Sequence, residues 1–269
     1  CGGAKMTPEI VSIGLVQLAI GLVFILMAGI TSLYHALKLE RDLIVGTIRT
    51  FAQLFLLGYI LKFIFNLENA ALILSVFGFM ILFAAWEIRS RVKEKQVAFF
   101  WPLFVSMVIC YVVVTYMVTA VLVNVEPWWK PQYFIPLGGM VIGNSMNAIA
   151  IALERLLGEL RKRRLEVEAM LCLGADYKEA SRDMFRNAMR AGMIPSINSM
   201  MGVGVVFIPG MMTGQILAGA NPLQAVRYQI VVMIMLVGST AIGSLLVVYL
   251  VRKLCFASGE RLLLQPRDY

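Results

Sequence analysis

Long apolar stretches alternate with short polar interruptions from Ile10 almost to Leu250. A helix rises ~1.5 Å per residue, so about twenty apolar residues cross a hydrocarbon core of roughly 30 Å. On that spacing the pattern predicts seven membrane-spanning helices. They run over Ile10–Ala36, Leu43–Phe65, Asn69–Trp86, Ala98–Val123, Leu137–Leu157, Ile194–Ala218, and from Asn221–Pro222 to near Leu250. Thr7, Pro8 and Glu9 read as the start of the first, with Thr7 as cap and Pro8 in the first turn. Pro209–Gly210 is expected to kink or unwind the sixth, freeing backbone carbonyls that could line a cavity. Between the fourth and fifth, EPWWKPQYFIP carries two tryptophans and three prolines, which suits an irregular segment at a membrane interface.

One long stretch breaks the apolar pattern. Glu154 to Arg190 is polar and holds nine of the 24 Lys and Arg residues. It reads as two helices joined by a turn. Gly174 can take the left-handed conformation that ends the first helix. Asp176 can cap the second, with Glu179 three residues on as the reciprocal half of a capping box. In the second helix Tyr177, Ala180, Met184, Ala188 and Ala191 share a face, while Lys178, Glu179, Arg182, Asp183, Arg186 and Arg190 fall mostly elsewhere. Ala175 lies in the turn. An elbow of this kind between spans is a docking surface for something in the cytoplasm.

Composition agrees with the pattern. The 269 residues are 60% hydrophobic with a mean hydropathy of +0.81, well above a soluble domain. The fold class is therefore all-α and polytopic, in an integral membrane protein. A net charge of +8 could suggest nucleic acid. Here the charge is grouped in loops, which the positive-inside bias explains more simply, and no nucleic-acid partner is expected. The loops after spans one, three, five and seven hold nineteen of the 24 basic residues. That puts the N-terminus outside, the C-terminus inside and the elbow in the cytoplasm. Cys1, Cys110, Cys172 and Cys255 show no metal or pairing pattern and read as reduced thiols. Residues 1–5 precede Met6 and are expected to be an expression remnant, with a lipidated Cys1 as the alternative.

Several residues could carry chemistry. Arg49 and Gln53 lie four apart on one face of span two. Arg49 is either a pathway residue, paired with Gln53 or Glu154, or a snorkelling side chain at the interface. Asn144, Ser145 and Asn147 in span five either line a substrate path or bond to a neighbouring helix. Asn198 and Gln215 are further pathway candidates in the broken sixth span. The Met200–Met201 and Met211–Met212 pairs could bind a soft cation, but methionine is also a flexible core filler. His35 has no partner in sequence and makes no metal site alone. No catalytic residue and no protein-held metal is expected. There is no G-x-x-x-x-G-K-[ST] loop, so any ATP must be bound by another polypeptide.

The stretch Glu168-Ala169-Met170-Leu171-Cys172-Leu173-Gly174 resembles the EAA loop of ABC-transporter permeases. It matches at Glu168, Ala169 and Gly174. Ile48–Leu61, Met140–Leu156 and Met201–Ile230 extend the likeness, and from Met6 onward the chain resembles the FetB-type permeases. That family includes bacterial proteins implicated in iron export and plant proteins tied to aluminium tolerance. The resemblance implies one permease domain over 1–269, in a homodimer bound to a separate ATPase subunit. ATP and Mg would sit on the partner, and this chain would not be an enzyme. Glu168, Ala169, Gly174, Ala175, Asp176, Glu179 and Arg182 would couple the two proteins. The implied activity is export of iron or another metal ion by alternating access, in a bacterial inner membrane. A nucleotide-sugar or similar metabolite is a second cargo class. A stand-alone secondary transporter is a third reading, although the spans hold almost no acidic residue for ion coupling. A seven-span photoreceptor is disfavoured, because the last span lacks a mid-membrane lysine.

Overall fold

A computed structural model describes residues 14–65, 69–92, 94, 97–257 and 261–265. The expected helix start at Thr7–Pro8–Glu9 and the remnant at 1–5 lie outside the described residues. The described chain is helical throughout and falls into two compact units.

The first unit contains α1 (Leu15–Tyr34) and α2 (Glu40–Ile64). The turn between them is pinned by Ser32, whose hydroxyl donates to Glu40 Oε1 at 2.8 Å and accepts from the Leu39 N–H at 3.1 Å. Ala36 and Lys38 take positive φ there. Nearly every other side chain of the pair is exposed, as expected of apolar helices whose solvent is lipid.

The second unit holds the core. Its helices are α3 (Ala70–Arg91), α4 (Phe100–Tyr116), α5 (Pro131–Lys162), α6 (Arg164–Cys172), α7 (Tyr177–Ala180), α8 (Arg182–Gly202), α9 (Gly210–Leu217) and α10 (Pro222–Leu254). A π-helical turn, Met117–Leu122, extends α4. α3 starts on the Asn69 side chain, which accepts from the Ala71 N–H, and α10 on Asn221, which accepts from the Leu223 N–H. The proline-rich segment is irregular only over 124–130. Pro131 opens α5, where its missing N–H is harmless, and Pro136 lies inside that helix.

α5 is the axis of the unit, and small residues let its neighbours approach. A Cβ built on Gly138 would run into the Phe77 ring of α3, and one on Gly192 of α8 would lie 2.8 Å from the Ala148 carbonyl oxygen. Ala188, Gly192 and Ser196 form a small-residue stripe at four-residue spacing on α8, the pattern that lets membrane helices pack backbone to backbone. The contacts Asn144–Ser196, Ala148–Gly192 and Glu159–Asn187 run in opposite senses along α5 and α8, so these helices are antiparallel. Ser145–Ser239 and Ile149–Gly243 run in the same sense, so α10 is parallel to α5.

Six described helical segments are long and apolar enough to cross a membrane: α1, α2, α3, α4 with its π turn, α5 and α10. The stretch expected as the sixth of seven spans is divided, as its Pro209–Gly210 pair implied, but the break begins earlier than that pair. α8 ends at Gly202, seven residues before Pro209, because Gly204 takes φ +84° and its N–H turns back to the Phe207 carbonyl at 2.9 Å. α9 resumes at Gly210. The elbow's second helix is divided as well. Ser181 donates its hydroxyl back to the Tyr177 carbonyl, a bond that competes with the helical ladder and bends it, so a turn separates α7 from α8.

Candidate functional site

The elbow is built at both ends as its residues require. Gly174, at φ +91°, donates its N–H to the Leu171 carbonyl at 3.1 Å, while the Ala175 N–H reaches the Met170 carbonyl at 3.0 Å. Those two bonds are the Schellman motif, which satisfies the last carbonyls of α6. Asp176 Oδ1 then accepts from the Glu179 N–H at 2.6 Å, capping α7. Ala180, Met184 and Ala188 are buried and Tyr177 and Ala191 half-buried, while Lys178, Glu179, Arg182, Asp183, Arg186 and Arg190 are exposed. The face expected from sequence is therefore the one that packs.

Between α6 and the start of α8 lies a cleft of about 410 Å3, lined by Arg163, Glu166, Met170, Glu179, Arg182, Asp183 and Arg186. Arg163 pairs with Glu166 and holds its carboxylate below the usual glutamate range. Glu168, the glutamate of the EAA-like sequence, accepts from Arg164 Nε at 2.7 Å, and Ala169 is exposed beside it. Leu165 and Leu173 stand out from this charged surface, 83% and 88% exposed.

Beneath the elbow is a clasp that the sequence did not reveal. Glu94, after α3, is buried and paired with Arg161 near the end of α5, and its backbone carbonyl accepts from Arg89. Arg161 also donates to the Gln265 carbonyl, and Arg164 to the Leu264 carbonyl at 3.2 Å. The C-terminal segment is thereby tied to the base of α6, with Leu262 and Leu264 buried under it. Burial of Cys255 in the same place pushes its thiol up to about 12. In sequence Glu94 sits in a run of alternating charges that reads as a solvated loop, so only its position marks it.

Deeper in the bundle a polar band joins three helices. Asn144 Nδ2 donates to Ser196 Oγ at 3.2 Å, Ser196 Oγ lies 3.3 Å from Thr240 Oγ1, and Ser145 donates to Ser239 at 3.2 Å. Ser145 and Ser239 are fully buried. Two of the pathway candidates thus meet neighbouring helices, through serines and a threonine that no pattern in the sequence distinguished. Asn147 faces elsewhere and accepts from Arg91 Nη1 at 2.9 Å. Arg91, Glu94, Glu154 and Arg161 line a second cleft of about 420 Å3. Asn198 is exposed, and the Gln215 carbonyl oxygen is shielded without a hydrogen-bond partner among the described residues. In the first unit Arg49 is half-buried in the third turn of α2, and Gln53, one turn on, is exposed. Because α2 begins at Glu40, Arg49 lies roughly 14 Å along the axis rather than at the helix start. Among the described residues no three His, Cys, Asp or Glu side chains converge on a point.

A family model described as "Uncharacterised protein family (UPF0014)" matches residues 15–256, nearly the whole fold. The chain belongs to that family. It is 35% identical over 230 residues to a UPF0014 membrane protein of Synechocystis, covering 86% of this chain and 89% of the relative. Protein ALUMINUM SENSITIVE 3 of Arabidopsis thaliana is 34% identical over 241 residues, 88% and 85% of the two chains. The probable iron export permease protein FetB of Escherichia coli is 33% identical over 249 residues, 91% and 93%. No solved structure matches. The resemblance to FetB-type permeases extends over most of the chain, and with its apolar helices this UPF0014 protein is an integral membrane protein.

Proposed function

We propose that this chain is the membrane-spanning subunit of an ABC exporter in a bacterial inner membrane, and that it works as a homodimer with a separate ATPase subunit. The observation that carries the reading is the tip of the elbow. Leu173 is 88% exposed, yet it sits between a glycine-closed helix and an aspartate-capped one, on a surface otherwise charged. An apolar knob on a rigid, polar platform suits a groove in a protein partner. The basic ends of α3, α5 and α10 gather near the elbow, which favours a cytoplasmic position under the positive-inside rule.

In this mechanism ATP binding closes the partner's dimer and displaces the elbow between Glu168 and Arg182. The caps keep α6 and α7 stiff, so displacement passes into α8, which is packed tightly on α5 at Gly192. Sliding or tilting of α8 against α5 then alternates access to a path beside Asn147, Asn198 and Gln215. The name of the Escherichia coli relative supports iron or another metal ion as cargo. No chemistry on this chain is required, because hydrolysis occurs on the partner.

The test is co-purification with a candidate ABC ATPase subunit, followed by ATP hydrolysis in lipid with Fe2+ or with nucleotide-sugars. A stable complex whose turnover rises with Fe2+ is the expected result. A rise with nucleotide-sugar alone would reassign the cargo. A folded chain that binds no ATPase would leave a secondary transporter.

A further inference from the structure

We propose that Arg252 is a positioning residue that locks the hinge between α7 and α8, and so sets the angle at which the elbow meets the bundle. The inference deepens the coupling reading above and rests on it for its role in transport.

Arg252 lies in the last turn of α10 and is 6% exposed. Its guanidinium carbon is 4.4 Å from the Phe185 ring centroid, 5.8 Å from that of Tyr177 and 5.7 Å from that of Tyr249. All three distances are within the range of a cation–π contact. Tyr177 belongs to α7 and Phe185 to α8, so one side chain of α10 touches both sides of the turn at Ser181. The Tyr177 ring also lies 5.6 Å from Phe256, which walls the cage on its far side.

Filling space does not explain an arginine here. Its Nε is shielded from solvent with no hydrogen-bond partner among the described residues. Shielding that N–H without a partner is unfavourable, and an apolar side chain of equal length would pack at less expense. What the guanidinium adds is attraction to the ring faces held over it and to the charge of Asp176, the cap of α7, so its partners lie on both sides of the turn. Straightening or folding the Ser181 turn would carry Tyr177 or Phe185 off the cation. Arg252 therefore favours one hinge angle.

The test uses the single exposed cysteine of the elbow. Cys172 is exposed whereas Cys110 and Cys255 are buried, so a nitroxide on the full chain in a Cys1→Ser background attaches at Cys172. The expected result is that Arg252→Met keeps the melting temperature but raises the label's mobile-to-immobile ratio about thirtyfold, the scale of a desolvated cation–π contact. Arg252→Lys should restore most of the immobile signal. An unchanged spectrum in folded Arg252→Met overturns the proposal. If that variant does not fold, Phe185→Leu, which removes one ring and keeps the charge, decides by the same criterion. In the complex with the ATPase, Arg252→Met should lower the kcat of stimulated hydrolysis and leave the KM for ATP unchanged. The label reads the hinge without any partner, so failure of the transporter reading and failure of the lock are separable.

Discussion

Gly192 of α8 lies against Ala148 of α5 so closely that a Cβ would stand 2.8 Å from the Ala148 carbonyl oxygen and 2.9 Å from the Ala152 Cβ. Neither neighbour is the end of a flexible side chain, so the helices themselves must separate to admit a methyl group. Gly192→Ala should lower stability by about 1–3 kcal/mol, and Gly192→Val by more. Gly158, on the facing helix α5 but with open space around its Cβ position, is the control. Gly158→Ala should be neutral or stabilising by up to about 1 kcal/mol. Thermal melting of the purified chain in detergent distinguishes the two sites.

The caps make the elbow sensitive to single changes. Asp176→Ala removes the acceptor for the Glu179 N–H and should destabilise α7 by about 1 kcal/mol. Gly174→Pro cannot adopt φ +91° and also deletes the N–H bonded to Leu171. Glu168→Arg places a like charge beside Arg164. Both of the latter variants should insert normally yet abolish stimulation of the partner's ATP hydrolysis. Normal stimulation in either would remove the elbow from the mechanism.

The Glu94–Arg161 pair should show the asymmetry of buried charges. Side-chain exposure is 3% and 15%, so removing one member takes a buried partner from the other. Arg161→Met alone should cost about 3–5 kcal/mol, whereas Arg161→Met with Glu94→Met should recover much of that loss. A double-mutant cycle on melting temperature measures the coupling. Additive losses would mean that the pair is not formed.

Thiol chemistry should report the same packing. Burial disfavours the Cys255 thiolate and pushes its thiol up to about 12. A raised pKa leaves the reactive form absent at neutral pH and lets it accumulate only as the pH approaches that value. In a Cys1→Ser background, maleimide at pH 7 should modify Cys172 rapidly, and Cys255 only after the C-terminal segment is unfolded. Mass spectrometry of the labelled peptides checks both.

Much of this protein is written in its residue order. A membrane-spanning helix satisfies its own backbone, so apolar run length alone located α1 to α5 and α10, the largest difference being at α5, which starts at Pro131 within the segment expected to be irregular. Capping is equally local. Gly174 and Asp176 marked the turn of the elbow because the left-handed conformation and the side-chain cap depend on single residue types, and the packed face from Ala180 to Ala188 followed from helical period.

What tertiary structure decided is which polar groups meet. Asn144 and Ser145 point to different helices, and their partners Ser196 and Ser239 lie 52 and 94 positions away. Glu94 looks like a solvated loop residue until Arg161, 67 positions on, closes over it. Arg252 looks like an ordinary basic residue ending a span until two sides of a hinge converge on it. The division of the sixth span was legible in Pro209–Gly210, but its start at Gly202 was not, because the turn that begins there is closed by the bond from the Gly204 N–H to the Phe207 carbonyl. Hydrophobic period is a property of neighbours along the chain. Hydrogen-bond and cation–π partners are chosen by distance in space, and only the packing of α5, α8 and α10 sets those distances.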